Sequence, residues 1–374
     1  MTDLVLTSAR VLTPDEDMAA AWVAVTAGRI EALGDGEPPA AAERVDLSGR
    51  LLAPGFIDLH VHGGGGAHFM SGDADECARA ADFHARHGTT ALLATTIAAP
   101  RDALLRAVAA VAETSILGVH LEGPFLSERR RGAQQAEHLR PPDLDELAAL
   151  LAAGPVRLVS LAPELPGARE AIEAIDEADA VPALAHTDAT YAQAVAAIEA
   201  GARHAVHTFN GMRPLHHREP GVLGAVLDDP RVTCEAIADG HHVHPAALRL
   251  LYRAKGAGGT VLVTDAIAAA GLPDGDYELG GAPVRTAGGR AETADGILAG
   301  STLTMDAAVR NAHAWGLPLI DALAAATRTP AWVLGVPKGR IAPGYDADLV
   351  VLDRDLRPVA AYIGGRPLST ASGA

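Results

Sequence analysis

The chain has 374 residues, is 49% hydrophobic but only 3% aromatic, and carries a net charge of −17. Such acidity excludes a nucleic-acid partner, which needs a basic surface. No stretch is long and charge-free enough to span a membrane, and Met1-Thr2-Asp3-Leu4 opens no signal peptide. Cys77 and Cys234 cannot form a disulfide framework, so a reducing cytoplasm is expected.

Residues 1–52 read as short strands, Leu4–Leu6, Trp22–Val25 and Arg29–Leu33, separated by turn residues such as Gly28 and Gly34-Asp35-Gly36. The middle alternates strand and helix eight times. Strands are predicted at Gly55–Gly63, Thr89–Ile97, Ile116–Phe125, Val156–Glu164, Val181–Ala189, His204–Met212, Val232–Gly240 and Thr260–Ala268. Helical patterns lie between them, for instance Asp75–His87, Arg101–Glu113 and Tyr191–Ala200. Residues 269–300 read as a glycine-rich hairpin inserted after the last of these strands. Short strands resume at Gly339–Ile341, Ala347–Leu352 and Pro358–Ile363. The expected architecture is an α/β fold. A (β/α)8 TIM-like barrel spans 53–338, and 1–52 with 339–374 form a small β-sandwich domain.

In such a barrel the functional side chains sit at the C-terminal strand ends. His60 and His62 are two apart on the first strand, so both imidazoles project from one face. The third strand ends in Glu122, the fifth in His186, the sixth in His207 and the eighth in Asp265. Singly, each has a bland reading: a helix-capping acid, or a hydrogen-bonded core histidine. Six residues of metal-binding types at corresponding places on five strands point instead to a metal centre. His204 is three residues from His207 and faces the other way, which makes it structural or exposed. His84, His87, His138, His216, His217 and His313 fall on helices or loops, where solvated surface is the expected place for most.

Several segments resemble the N-acetylglucosamine-6-phosphate deacetylases of the amidohydrolase superfamily. They are Pro54–Gly63, His120-Leu121-Glu122-Gly123-Pro124-Phe125, His207-Thr208-Phe209-Asn210-Gly211-Met212, Arg218-Glu219-Pro220-Gly221, Ala238–His242 and Leu262–Ala266. The likeness runs on to Gly339–Leu349. His-x-His and Asp-Ala-Asp-Leu mark only the superfamily, whereas Glu-Gly-Pro-Phe, Phe-Asn-x-Met and Arg-Glu-Pro-Gly together are far more specific.

The resemblance implies Glu122, His186 and His207 as ligands of an essential divalent metal, His60 and His62 as ligands of a second, and Asp265 as catalytic acid/base. It implies phosphate contacts at Asn210 and Gly211, and sugar contacts at His242, Ala133, Leu298, Ala299 and Gly300. It also implies a homodimer in which Arg218 reaches the phosphate in the neighbouring subunit, and a role in amino-sugar catabolism or cell-wall sugar recycling. Relatives carry a histidine facing the substrate where this chain has Gln134, which hydrogen-bonds but cannot titrate near neutrality.

Deacetylation suits these groups, since a metal polarises the acetamido carbonyl and acidifies water while an aspartate moves the proton. Amidohydrolases that bridge two metals with a carboxylated lysine are excluded, because no lysine precedes Lys255. Purine deaminases leave Arg218 and Glu-Gly-Pro-Phe unexplained, and a non-catalytic scaffold leaves six retained ligand-type residues unexplained. Zinc is the first choice of metal; iron, manganese and nickel suit the same ligands. Whether one or two ions bind, and whether the sugar has gluco or galacto configuration, stays open.

Overall fold

The computed structural model describes residues 2–13 and 17–368. The outermost residues of the two expected β-rich segments, 1 and 369–374, lie outside that set, as do residues 14–16. Eight parallel strands follow one another around a barrel: β1 (Phe56–Val61), β2 (Thr89–Thr95), β3 (Gly118–Glu122), β4 (Val156–Leu161), β5 (Val181–Leu184), β6 (His204–Ala205), β7 (Thr233–Ile237) and β8 (Thr260–Val263). Nearly every residue of these strands is buried, as a parallel sheet covered on both faces requires. That is why the strand sequences read as apolar runs without alternation.

The intervening helices bury one stripe against the barrel, and several start at side-chain caps. The Asp73 carboxylate accepts from Asp75 N at the head of Ala74–Arg86, and Asp143 accepts from Glu146 N at the head of Leu144–Ala153. Thr190 and Gln193 form a reciprocal capping box on Tyr191–Glu199.

Between β8 and β1 there is no strand ladder. The seam closes through single bonds, Asp265 N to His60 O at 2.8 Å and His62 N to Ala266 O at 2.8 Å. It also closes through buried Asp58 on β1, whose carboxylate accepts from Thr264 Oγ1 at 2.5 Å and from the amides of Thr264 and His60 at 3.2 Å each.

Three segments depart from the sequence reading. Gly339–Ile341, expected as a strand, forms none. The predicted strand His204–Met212 is a strand only over His204–Ala205, because His207 and Phe209 take left-handed backbone angles that turn the chain out of the sheet. The predicted hairpin at 269–300 is a four-stranded antiparallel meander, Gly275–Leu279, Ala282–Ala287, Arg290–Thr293 and Leu298–Ser301. It stands over the C-terminal mouth of the barrel, on a small core of Ile267, Val284, Ala291 and Ala299.

The two ends of the described chain build one eight-stranded mixed sheet with its own core, including Leu6, Val23, Ile30, Leu349 and Val351. Leu51–Pro54, immediately before β1, pairs antiparallel with Leu349–Leu352. Lys338 joins the sheet to the chain leaving the barrel, with its Nζ 2.7 Å from Asp348 Oδ2 and 2.9 Å from Asp346 Oδ2.

Candidate active site

The strand ends deliver their polar side chains to one buried centre. Oε1 of Glu122 lies 3.1 Å from His186 Nε2 and 3.0 Å from His207 Nε2, and those two nitrogens are 3.1 Å apart. On the other side, Nε2 of His60 and of His62 are 3.3 Å apart. His62 Nε2 lies 3.5 Å from Glu122 Oε2 and 3.2 Å from Asp265 Oδ1, and His60 Nε2 is 3.5 Å from Asp265 Oδ1. Glu122 is therefore shared by two ligand triads.

What this centre wants is legible from the far side of each ring. His186 Nδ1 meets Arg130 O at 2.8 Å, His207 Nδ1 meets Asn210 O at 3.1 Å, His62 Nδ1 meets Thr95 O at 3.3 Å, and His60 Nδ1 meets Glu235 Oε2 at 3.2 Å. Each of these partners is an acceptor, so each Nδ1 carries the proton and each Nε2 turns a lone pair inward. Four converging lone pairs and two carboxylates repel one another unless a cation lies between them. Ligands around a tetrahedral ion with bonds near 2 Å sit about 3.3–3.6 Å apart, close to the spacings found here. The residues fit a divalent metal.

Without an ion, the centre draws positive charge in the form of protons. Burial opposes a proton on His60, but the carboxylates of Asp265, Glu122 and Glu235 outweigh it and raise its pKa to about 10. Burial would also raise Glu122 and Asp265; the surrounding imidazoles outweigh it and hold both below the usual carboxylate range. Asp265 thus stays ionised, the form a base needs.

The backbone is bent to make this geometry. His186, His207 and Asp265 have φ of +41°, +31° and +51°, a region that non-glycine residues avoid and that clusters at functional sites. Gly211, at φ +61°, has no such cost, and a Cβ there would stand 2.8 Å from His186 Nδ1. Only glycine leaves room for the bond that orients His186.

A pocket of about 210 Å³ opens over the centre, lined by His62, Glu122, Ala133, Gln134, His186, His207, Asn210, Gly211, His242, Asp265, Leu298 and Gly300. Ile97, Gly132, Gln135, Leu279 and Ile297 complete its wall. His242 is held by Asp239, whose Oδ2 is 2.7 Å from Nδ1, leaving Nε2 for the pocket.

The model of the Amidohydrolase family matches residues 51–368. The N-acetylgalactosamine-6-phosphate deacetylase of Escherichia coli O157:H7 is 40% identical over 97% of this chain and 98% of its own. The N-acetylglucosamine-6-phosphate deacetylase of Vibrio furnissii is 40% identical over 91% and 88%. A solved structure of a mutant N-acetyl-D-glucosamine-6-phosphate deacetylase from Mycobacterium smegmatis, in complex with N-acetyl-D-glucosamine-6-phosphate, superposes with a TM-score of 0.94. It is 43% identical and covers 98% of this chain and 99% of that one. The chain belongs to the N-acetylglucosamine-6-phosphate deacetylases of the amidohydrolase family. It is a hydrolase of an amide C–N bond.

Two expected substrate contacts lie off the pocket of the single chain. Arg218 is exposed and off the pocket, its Nη1 2.8 Å from His217 Nε2. Ala299 turns its methyl into the meander core, because successive residues on Leu298–Ser301 face opposite ways. His60 lies beneath the pocket floor, fully buried. Gln134 lines the pocket, but its amide is engaged by the protein: Oε1 accepts from Ala98 N at 2.9 Å and Nε2 donates to Glu122 Oε2 at 2.7 Å.

Among the other histidines, His216, His217 and His313 are exposed, while His84 is fully buried on Gly63 O at 2.9 Å. His204 is buried and structural. Glu235, Asp58 and His120 were missed by the sequence reading. His120 packs edge-on against His60, with ring centroids 4.7 Å apart, and its Nε2 lies 2.7 Å from Ser160 Oγ. Charged residues inside otherwise apolar strands, Asp58 in β1 and Glu235 in β7, were the signal available for two of the three.

Proposed function

We propose that the chain hydrolyses the acetamido group of N-acetyl-D-glucosamine 6-phosphate, giving D-glucosamine 6-phosphate and acetate, with zinc as the resident ion. The observation that carries the reading is Asp265, ionised and buried at the pocket floor with Oδ1 3.2 Å from His62 Nε2. Glu122, His186 and His207 would hold a divalent ion, whose chemistry when bound would be that of a Lewis acid toward the amide carbonyl and water. His60, His62 and Glu122 would hold a second ion.

Asp265 takes the proton of the attacking water and delivers it to the departing nitrogen, which leaves poorly as an anion. His242, fixed by Asp239, offers Nε2 to the sugar. Asn210 and Gly211 meet the phosphate end, and Ala133 and Leu298–Gly300 border the ring. Arg218 completes the phosphate site of a second subunit in a homodimer, with a planar donor fork suited to phosphate.

Acetate release from N-acetylglucosamine and N-acetylgalactosamine, each with and without the 6-phosphate, tests the reading. The phosphorylated gluco sugar should be the best substrate. A faster reaction with the galacto 6-phosphate would favour the second reading, which the 40% identity to the galactosamine enzyme supports. No acetate from any of them would reject both. For the shared site, mixed Asp265→Asn and Arg218→Ala proteins should regain activity that neither has alone. Silence after verified subunit exchange would sink the dimer model.

A further inference from the structure

Glu235 stands in β7, wholly buried, and does not itself line the pocket. A carboxylate in such a place is costly unless donors satisfy it. Three do. Oε2 accepts from His60 Nδ1 at 3.2 Å and from the backbone amide of His207 at 2.9 Å, and Oε1 accepts from His204 Nε2 at 2.9 Å. His204 Nδ1 in turn lies 2.6 Å from Thr233 Oγ1. Glu235 thus lies beneath the metal centre accepting all three of its bonds, as a carboxylate does.

The four inward-facing imidazoles are not oriented alike. His62, His186 and His207 give their Nδ1 protons to neutral backbone carbonyls, of Thr95, Arg130 and Asn210. Only His60 gives its proton to a charged group. A carboxylate behind a ligating imidazole fixes the tautomer and strengthens the opposite nitrogen as a donor of electrons. Without it, His60 is free to carry its proton on Nε2, where an N–H would point into the centre and exclude an ion.

We propose that Glu235 is the positioning residue of the second ion subsite, holding His60 in the tautomer that ligates and raising the affinity of the His60–His62 side for a divalent cation. The proposal rests on the two-subsite reading above. The Glu122–His186–His207 side depends on Glu235 only through the His207 amide, which a neutral oxygen can still accept. The two ions therefore respond unequally to loss of the charge.

Glu235→Gln separates charge from shape. Its amide oxygen can keep His60 and His207, while its NH2 faces His204, which can shift its own proton to Nδ1 and donate to Thr233. Chelator-stripped wild type and variant, both checked for folding by thermal unfolding, are titrated with Zn2+ by calorimetry at fixed pH, with metal content measured after dialysis.

The second ion should bind about 10–100-fold more weakly in the variant and the first within about threefold of wild type, as for loss of an outer-shell carboxylate. In a His60→Ala background the same substitution should change ion uptake no further. Glu235→Asp, which keeps the charge but withdraws it by one methylene, should weaken the second ion too, and serves should the glutamine variant not fold. Two ions held equally by wild type and variant overturn the inference alone, as does equal weakening of both ions. A wild type that takes up one ion only overturns it together with the two-subsite reading.

Discussion

Asp265, Glu122 and the histidines divide the work of the centre atom by atom, and substitutions should separate their roles. Asp265→Asn keeps a residue type that tolerates left-handed backbone angles and loses only the exchangeable proton site. Metal content should stay near wild type while kcat falls by at least ~10²-fold; normal turnover in the loaded variant would remove Asp265 from the chemistry. His186→Ala or His207→Ala should lose metal and activity together, since either breaks a three-ligand set. The His60→Ala, His62→Ala pair should keep an ion on Glu122, His186 and His207, and a pair variant without any metal would reverse that ranking. Gln134→Leu removes the 2.7 Å bond to Glu122 Oε2 and should cost about 10–100-fold in metal affinity. Unchanged affinity in a dialysis assay would leave Gln134 a sugar contact only. All six principal groups were legible in the sequence because strand ends are where this fold puts chemistry. The partners behind them were not: nothing in a linear chain says that Glu235 lies against His60, 175 residues away.

Among the elements, the seam between β1 and β8 is the weakest join in the barrel and Asp58 its clamp. Three donors converge on that carboxylate, so Asp58→Asn sets an NH2 group against at least one N–H. A buried donor left without its acceptor costs roughly 1–3 kcal/mol, and denaturant unfolding should read that loss. An unchanged midpoint would mean that the seam is held by packing alone. Barrel strands were readable from apolar runs, and Tyr191–Glu199 from its Thr-x-x-Gln start. The meander was not resolved into four strands, although its signals were present. Gly280-Gly281 and Gly288-Gly289 each have positive φ at both residues and join directly paired strand ends, Leu279 to Ala282 and Ala287 to Arg290. Glycine pairs of this kind mark two-residue hairpin turns. His204–Met212 misled for the opposite reason, since its apolar residues promise a strand that the bent backbone at His207 ends.

For the whole molecule, the metal is a fastener as well as a reagent. The centre draws ligands from β1 and the residue after it, from β3, and from the turns after β5 and β6, so an ion there binds the folded barrel and not the unfolded chain. Stripping it with a chelator should lower the unfolding temperature, and free ion at 100 times its dissociation constant should restore about 2.7 kcal/mol. No shift on stripping would mean that the centre is preformed without help. Among the described residues no helix is long and apolar enough to cross a membrane.

The antiparallel pairing of Leu51–Pro54 with Leu349–Leu352 bears on the order of events at the ribosome. The strand that leads into β1 leaves the exit tunnel roughly 300 residues before its partner exists, a very long wait for a contact. Until then the first fifty residues present an unpaired apolar edge, the kind that recruits chaperones or neighbouring chains. Synthesis stopped after Arg340 should therefore yield aggregated or chaperone-bound protein rather than a working barrel, even though every ligand of the centre has already been made. Pulse-labelled, stalled chains of that length would show it: soluble, protease-resistant barrels would mean that β1 needs no anchor.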